Sequence, residues 1–383
     1  MIYSRRGFLC SLAATAASDL SLRQVFATTA VTATPEITST PSTDALIRLN
    51  RNENPYGPSA KVAEAIRSSA ASANRYAGTR TAVLREAIAA SHQVGSERVV
   101  LGCGSTEILR AASCAYLGRG KQLLQASPTF AAIEHYARVM GADVTSIGLT
   151  PAFSHDLSGM LARATSATAL VYVCNPNNPT ASLTPHNDLD DFISKLPSSS
   201  IVVIDEAYHQ FAGHSATYSS FLDHPLDDPK IVVTRTFSKV YGLAGLRLGY
   251  AVASRTVAET LRAFLTEDNI NSIAAEAALA ALEDVDTVND VVQRNASARQ
   301  EFFNQAMARA LKPIDSHTNF VMMDTLHPGS EVGQQLRGGK ILIGPSFPQM
   351  KTHIRVSLGS PEDMSAFWRV WDSLPYPKHT MHH

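Results

Sequence analysis

Lys239 stands between hydroxyl residues and glycines in the stretch Thr236-Phe237-Ser238-Lys239-Val240-Tyr241-Gly242-Leu243-Ala244-Gly245-Leu246-Arg247-Leu248-Gly249. The apolar run Ile231-Val232-Val233-Thr234 comes just before it, so the lysine should project from the carboxyl end of a buried strand, where open α/β sheets place ligands. A lysine that forms a Schiff base needs a neutral amine, and burial among Leu243, Leu246 and glycines would lower its pKa. Lys239 therefore reads as a covalent cofactor anchor. A second candidate follows Ile201–Ile204, where Asp205-Glu206-Ala207-Tyr208 sets a carboxylate and a phenol at a strand end. A carboxylate there is costly unless paired, which favours a functional role over a structural one.

Three further turns offer polar or flat groups. In Gly102-Cys103-Gly104-Ser105-Thr106-Glu107, glycines and hydroxyls open a helix whose N–H groups suit a phosphate. The same turn serves equally as an ordinary cap, and it lacks the Gly-Lys-Ser/Thr ending of a P-loop. Phe130, in Ser127-Pro128-Thr129-Phe130, has a face that could stack on a heterocycle or simply fill core. Asn178, in Asn175-Pro176-Asn177-Asn178-Pro179-Thr180, offers an amide from a rigid turn that is also common without function.

The elements that must position these groups are short apolar runs, each followed by a segment of helical length. The runs are Arg98–Leu101, Gln122–Leu124, Ala169–Val173, Ile201–Ile204 and Ile231–Thr234, with Tyr250–Val252 a further candidate. Ser105–Leu117 and Phe130–Val139 have the apolar spacing of crossover helices. An α/β fold with a mainly parallel, doubly wound sheet follows.

At 383 residues, 45% hydrophobic and 17% charged, the chain is long enough for about two domains. Thirty-three Lys+Arg balance 34 Asp+Glu, so no global field recruits nucleic acid or an anionic membrane. No apolar run approaches the roughly 20 residues that span a bilayer. Cys103, Cys114 and Cys174 form no disulfide framework, and the histidines lack metal-ligand spacing, so no metal is expected. Ser4-Arg5-Arg6-Gly7-Phe8-Leu9, followed by apolar Leu9–Ala17, is a twin-arginine pattern with a cleavage site at Val25-Phe26-Ala27. This predicts a signal peptide over 1–27, a disordered Thr/Ser/Ala/Pro-rich linker over 28–44, and a periplasmic or exported mature protein.

Asn178, Asp205, Tyr208, Ser238, Lys239 and Arg247, in this order and each after a strand, resemble the fold-type I pyridoxal-phosphate aminotransferases. Within that superfamily the chain is most similar to the histidinol-phosphate aminotransferase group, through Leu49-Asn50-Arg51-Asn52-Glu53-Asn54-Pro55-Tyr56-Gly57-Pro58 and His353-Ile354-Arg355-Val356-Ser357-Leu358-Gly359. The match covers about residues 46–372.

The resemblance implies pyridoxal 5'-phosphate as cofactor, with Lys239 as its covalent anchor and then as the proton-moving base. By the same resemblance Asp205 holds the pyridine nitrogen protonated, Tyr208 and Asn178 bind the ring hydroxyl oxygen, and Phe130 stacks on the ring. Gly104, Ser105, Thr106, Ser238 and Arg247 hold the phosphate, joined by Tyr76 of a partner subunit in a homodimer. Arg355 grips the substrate carboxylate, with Tyr56 and Asn178 also toward substrate. Three positions depart from the family: Ala181 where glycine is frequent, Ala77 after Tyr76, and Ile343-Gly344-Pro345-Ser346-Phe347 without an arginine that relatives carry near the side-chain pocket.

The expected organisation is an arm and part of a small domain over 45–74, a large cofactor-binding domain over 75–275, and the rest of the small domain over 276–383. The expected activity is transamination between an amino acid or related amine and a 2-oxo acid, with small molecules as partners and neither nucleic acid nor stable membrane association. Decarboxylation, elimination or racemisation on the same cofactor is the alternative, since the same residues serve all of them. A non-catalytic binding protein on this fold is the alternative of another class.

Overall fold

A computed structural model describes residues 46–213, 215–223 and 228–376. The expected signal peptide and linker lie outside these residues. The strands are β1 Ile47–Leu49, β2 Val99–Gly102, β3 Gln122–Ser127, β4 Asp143–Gly148, β5 Thr168–Cys174, β6 Ile201–Asp205, β7 Ile231–Thr236, β8 Gly249–Ala253, β9 Lys312–Pro313, β10 Phe320–Asp324, β11 Ile341–Ile343 and β12 His353–Ser357.

Seven of them form one sheet in the order β2-β8-β7-β6-β5-β3-β4. Neighbours from β7 to β4 pair in parallel, and β8 runs antiparallel to both β7 and β2. Helices cover both faces, so the central strands read as near-continuous apolar runs, and alternate residues enter two different cores. Val171, Val173, Val202, Ile204 and Val233 face one core; Leu170, Tyr172, Cys174, Val203 and Val232 face the other. β4 has no counterpart among the predicted runs. It is a half-exposed edge strand, Asp-Val-Thr-Ser-Ile-Gly, and never presents the apolar run that marks the buried strands.

The carboxyl-terminal part has its own antiparallel sheet, β12-β10-β9. Its core combines Phe302, Val321, Ile354, Phe367, Trp368 and Trp371 with Leu49 from the other end of the chain. That link arises because β1 pairs in parallel with β11, Ile47 opposite Ile341. The pairing delivers residues 50–53 to the ends of the central strands. The helix Pro361–Asp372 closes this layer and starts cleanly, with a Ser360/Asp363 capping box and proline in its first turn.

Candidate active site

The carboxyl ends of β5, β6 and β7 lie side by side, with Cys174 opposite Asp205 and Asp205 opposite Thr234. Three turns therefore discharge into one place. A cavity of about 720 Å³ opens there, and Lys239, Asp205, Tyr208, Asn178, Arg247 and Arg355 all line it. Ser105, Thr106, Phe130 and Ser238 line it as well. The central sheet thus brings together expected residues from five turns, and Arg355 joins them from β12 of the other sheet.

Lys239 Nζ donates to the carbonyls of Arg51 at 3.2 Å and Asn52 at 3.1 Å, and lies 5.6 Å from the centre of the Tyr208 ring. Its pKa falls to about 8, first because burial disfavours the ammonium, then because Arg355 repels it, while Glu53 acts in the opposite sense. Asp205 is buried; its Oδ2 accepts from the Tyr172 hydroxyl at 2.9 Å and its Oδ1 from the Ala207 N–H at 3.1 Å. Burial raises its carboxyl pKa and these two donors oppose that rise. Tyr208 accepts from Asn52 Nδ2 at 2.9 Å, and burial pushes its phenol pKa up.

Arg355 is held from four sides. Nη1 donates to Asn178 Oδ1 at 2.6 Å and Nη2 to the Asn50 carbonyl at 2.9 Å. The Phe320 and Phe347 rings stand 5.5 and 5.7 Å from the guanidinium carbon. Its Nε is buried without a hydrogen-bond partner among the described residues, and a Cβ at Gly344 would sit 2.9 Å from it.

At the other end of the cavity, the helix Ser105–Tyr116 starts from Gly104, which has φ +75° and no side chain to occupy the first-turn N–H groups. Arg247, itself at φ +56°, reaches across: Nη1 donates to Ser238 Oγ at 3.4 Å and to the Ala244 carbonyl at 3.0 Å. A Cβ at Gly104 would stand 2.5 Å from Arg247 Nη2, so the guanidinium occupies the space a larger residue would take. Helix-start amides, two hydroxyl residues, Ser238 and a fixed cation form a cup suited to a phosphate dianion. With a lysine of lowered pKa and a carboxylate also lining the cavity, the donor set fits pyridoxal phosphate.

Two expected residues lie outside this chain's cavity. Tyr56 follows a turn in which its N–H donates to Asn54 Oδ1 at 2.9 Å and Gly57 takes φ +70°. The Tyr56 ring instead lies 5.0 Å from the Arg294 guanidinium, beside the helix Val285–Met307. Tyr76 is 82% exposed on the surface. Conversely, Asn52, Asn50, Glu53 and Tyr172 meet the site without having been assigned to it. The polar run after Leu49 was a usable signal for the first three; a tyrosine inside an apolar strand carries none.

The aminotransferase class I and II family model matches residues 44–369. The chain belongs to this family. It is a fold-type I aminotransferase that uses pyridoxal phosphate. It is 34% identical to the histidinol-phosphate aminotransferase of Moorella thermoacetica, over 85% of this chain and 84% of that one. It is 36% identical to histidinol-phosphate aminotransferase 2 of Pseudomonas aeruginosa, over 84% and 87% respectively. The crystal structure of histidinol-phosphate aminotransferase from Sinorhizobium meliloti in complex with pyridoxal-5'-phosphate superposes with a TM-score of 0.79 at 26% identity, covering 84% of this aminotransferase and 89% of that chain.

Proposed function

We propose that this aminotransferase takes its amino group from a donor bearing a free carboxylate and passes it to a 2-oxo acid. The observation that carries this reading is the arrested Arg355 fork, clamped by Asn178, the Asn50 carbonyl and two aromatic rings where it lines the cavity with Lys239. A guanidinium so fixed binds a carboxylate with little further loss of side-chain freedom. When bound, pyridoxal phosphate supplies a carbonyl carbon that takes up amines and a protonated ring that withdraws electrons from the substrate α-carbon. Lys239 Nζ would anchor it and would serve as the group that moves a proton at the substrate, a task suited to an amine whose pKa burial lowers to about 8. Asp205 would hold the proton on the ring nitrogen by its negative charge. Tyr208 and Asn178 would orient the ring, Phe130 would stack on it, and Arg247, Ser238, Ser105 and Thr106 would hold the phosphate.

The curated relatives support an amine donor of the histidinol-phosphate kind. Residues 343–347, Ile-Gly-Pro-Ser-Phe, add no further cation to Arg51, Arg247 and Arg355 of the cavity, and we take an amino-acid carboxylate as the group that the Arg355 fork meets. The test is the visible spectrum of the purified enzyme during titration with amino acids and with histidinol phosphate. Bleaching by a carboxylate-bearing donor, reversed by a 2-oxo acid, is the expected result. Bleaching by histidinol phosphate alone would overturn the proposal.

We also propose a homodimer in which Tyr76 of the partner subunit completes the phosphate cup, supported by the exposure of Tyr76 on this chain. Light scattering at twice the chain mass is the expected result. The arm and small-domain division at about residues 75 and 275 and export by the twin-arginine route remain part of this reading. Arg5→Lys/Arg6→Lys should retain the protein in the cytoplasm, and unimpaired export of that variant would remove the signal from it.

A further inference from the structure

Asp205 is 2% exposed at the end of β6, and burial drives a carboxylate toward its neutral form unless donors face it. The register of the sheet decides which donors do. β5 and β6 pair in parallel with Tyr172 opposite Val203 and Cys174 opposite Asp205. Residues two apart on a strand share a face, so Tyr172 lies diagonal to Asp205, within reach of a long aromatic side chain.

We propose that Tyr172 is a positioning residue for the reaction: its hydroxyl, 2.9 Å from Asp205 Oδ2, keeps the carboxylate ionised and fixes its orientation. This rests on the reading of Asp205 as the partner of the ring nitrogen. The Ala207 N–H, 3.1 Å from Oδ1, acts on the other oxygen. The Thr234 hydroxyl, opposite Asp205 on β7, faces the same carboxylate from the protein side, and the remaining lone pairs are left for a donor in the cavity that Asp205 lines.

The tyrosine ring alone has no need of this arrangement. Tyr172 is fully buried on the apolar sheet face it shares with Leu170 of its own strand and Val203 opposite it, surroundings that phenylalanine would satisfy. The hydroxyl is what requires a partner there; it donates to the carboxylate, with the Cys174 thiol beside it. The other titratable and charged groups around Asp205 are Cys174 beside it, Tyr208, Lys239, Glu53, Arg247 and Arg355 lining the same cavity, and Glu206, which pairs with Arg235. The Cys174 thiol is buried, its pKa driven up first by desolvation and then by the Asp205 charge, and it donates to the Pro176 carbonyl at 3.4 Å, so it leaves the work to Tyr172.

The experiment compares Tyr172→Phe with Asp205→Asn. In cofactor-free protein carrying ¹³C-labelled aspartate, Asp205→Asn identifies the Asp205 carboxyl resonance by its disappearance. Tyr172→Phe is expected to raise the titration midpoint of that resonance by about one pH unit, the loss of one charge-assisted hydrogen bond. In the loaded enzyme kcat should fall about tenfold while KM stays within about threefold. A merely structural tyrosine would lower the melting temperature and leave the midpoint in place, which overturns the proposal. So does a Tyr172→Phe enzyme with parental midpoint and kcat while Asp205→Asn is inactive. Full turnover by Asp205→Asn would instead overturn the underlying role of Asp205.

Discussion

Lys239 joins the whole site at the level of single residues, because its function depends on being uncharged when the cofactor arrives. With a midpoint near pH 8, the neutral fraction falls about tenfold for each unit below it and saturates above it. Cofactor capture by the empty enzyme, followed by its visible absorbance, should therefore quicken from pH 6 to 8 and level off beyond. A rate flat across that range would show that the amine is not the limiting group. Lys239→Ala should abolish turnover, and retained transamination would remove it from the mechanism. Arg355→Lys keeps the charge but loses the fork; KM for carboxylate donors should rise at least tenfold, with cofactor affinity unchanged in a fluorescence titration. Equal losses in both would mean that Arg355 supports the fold rather than the substrate.

The strand ends decide how exactly these residues meet. Gly249 opens β8 opposite both Gly102 and Thr236, and a Cβ there would collide with backbone atoms of Ser105, Gly104 and Arg235. None of those atoms is the tip of a flexible side chain, so the strand or the helix start must move. Gly249→Ala should weaken cofactor binding more than tenfold, measured by equilibrium dialysis, and parental affinity would show that the cup tolerates the shift. Behind the sheet, Glu206 Oε2 accepts from Arg235 Nη2 at 2.9 Å and Nε at 3.1 Å, and from Ser220 Oγ at 2.6 Å. This pair ties the ends of β6 and β7 to the loop at 220–222. Both members are buried, so Glu206→Gln leaves an uncompensated cation and should cost about 3 kcal/mol in urea unfolding of the cofactor-free protein. Glu206→Leu/Arg235→Met should recover most of that loss. Ala181 takes φ +64° while its methyl is fully buried near Tyr208. The strain of about 1 kcal/mol and the burial of one methyl are of similar size, which accounts for alanine being tolerated there.

Across the whole molecule, the cavity is assembled from segments far apart in the chain: residues 50–53 meet Lys239 across a separation of nearly 190 positions, and Arg355 meets Asn178 across 177. The amino-acid sequence determined the central strands, because a strand buried on both faces must be apolar along its length and stops visibly where a polar turn begins. It also determined the chemistry of Lys239, Asp205 and the glycine turn, since each follows its strand directly. β4 was hidden because an edge strand need not be apolar, and the antiparallel direction of β8 is a property of pairing rather than of its residues. Only the tertiary structure decided that Asn178 and the Asn50 carbonyl restrain Arg355, that Asn52 donates to Tyr208, and that Tyr172 faces Asp205. These contacts follow from register and from the β1–β11 pairing, and neither leaves a local trace: a tyrosine in an apolar strand looks like core until the strand beside it supplies a carboxylate.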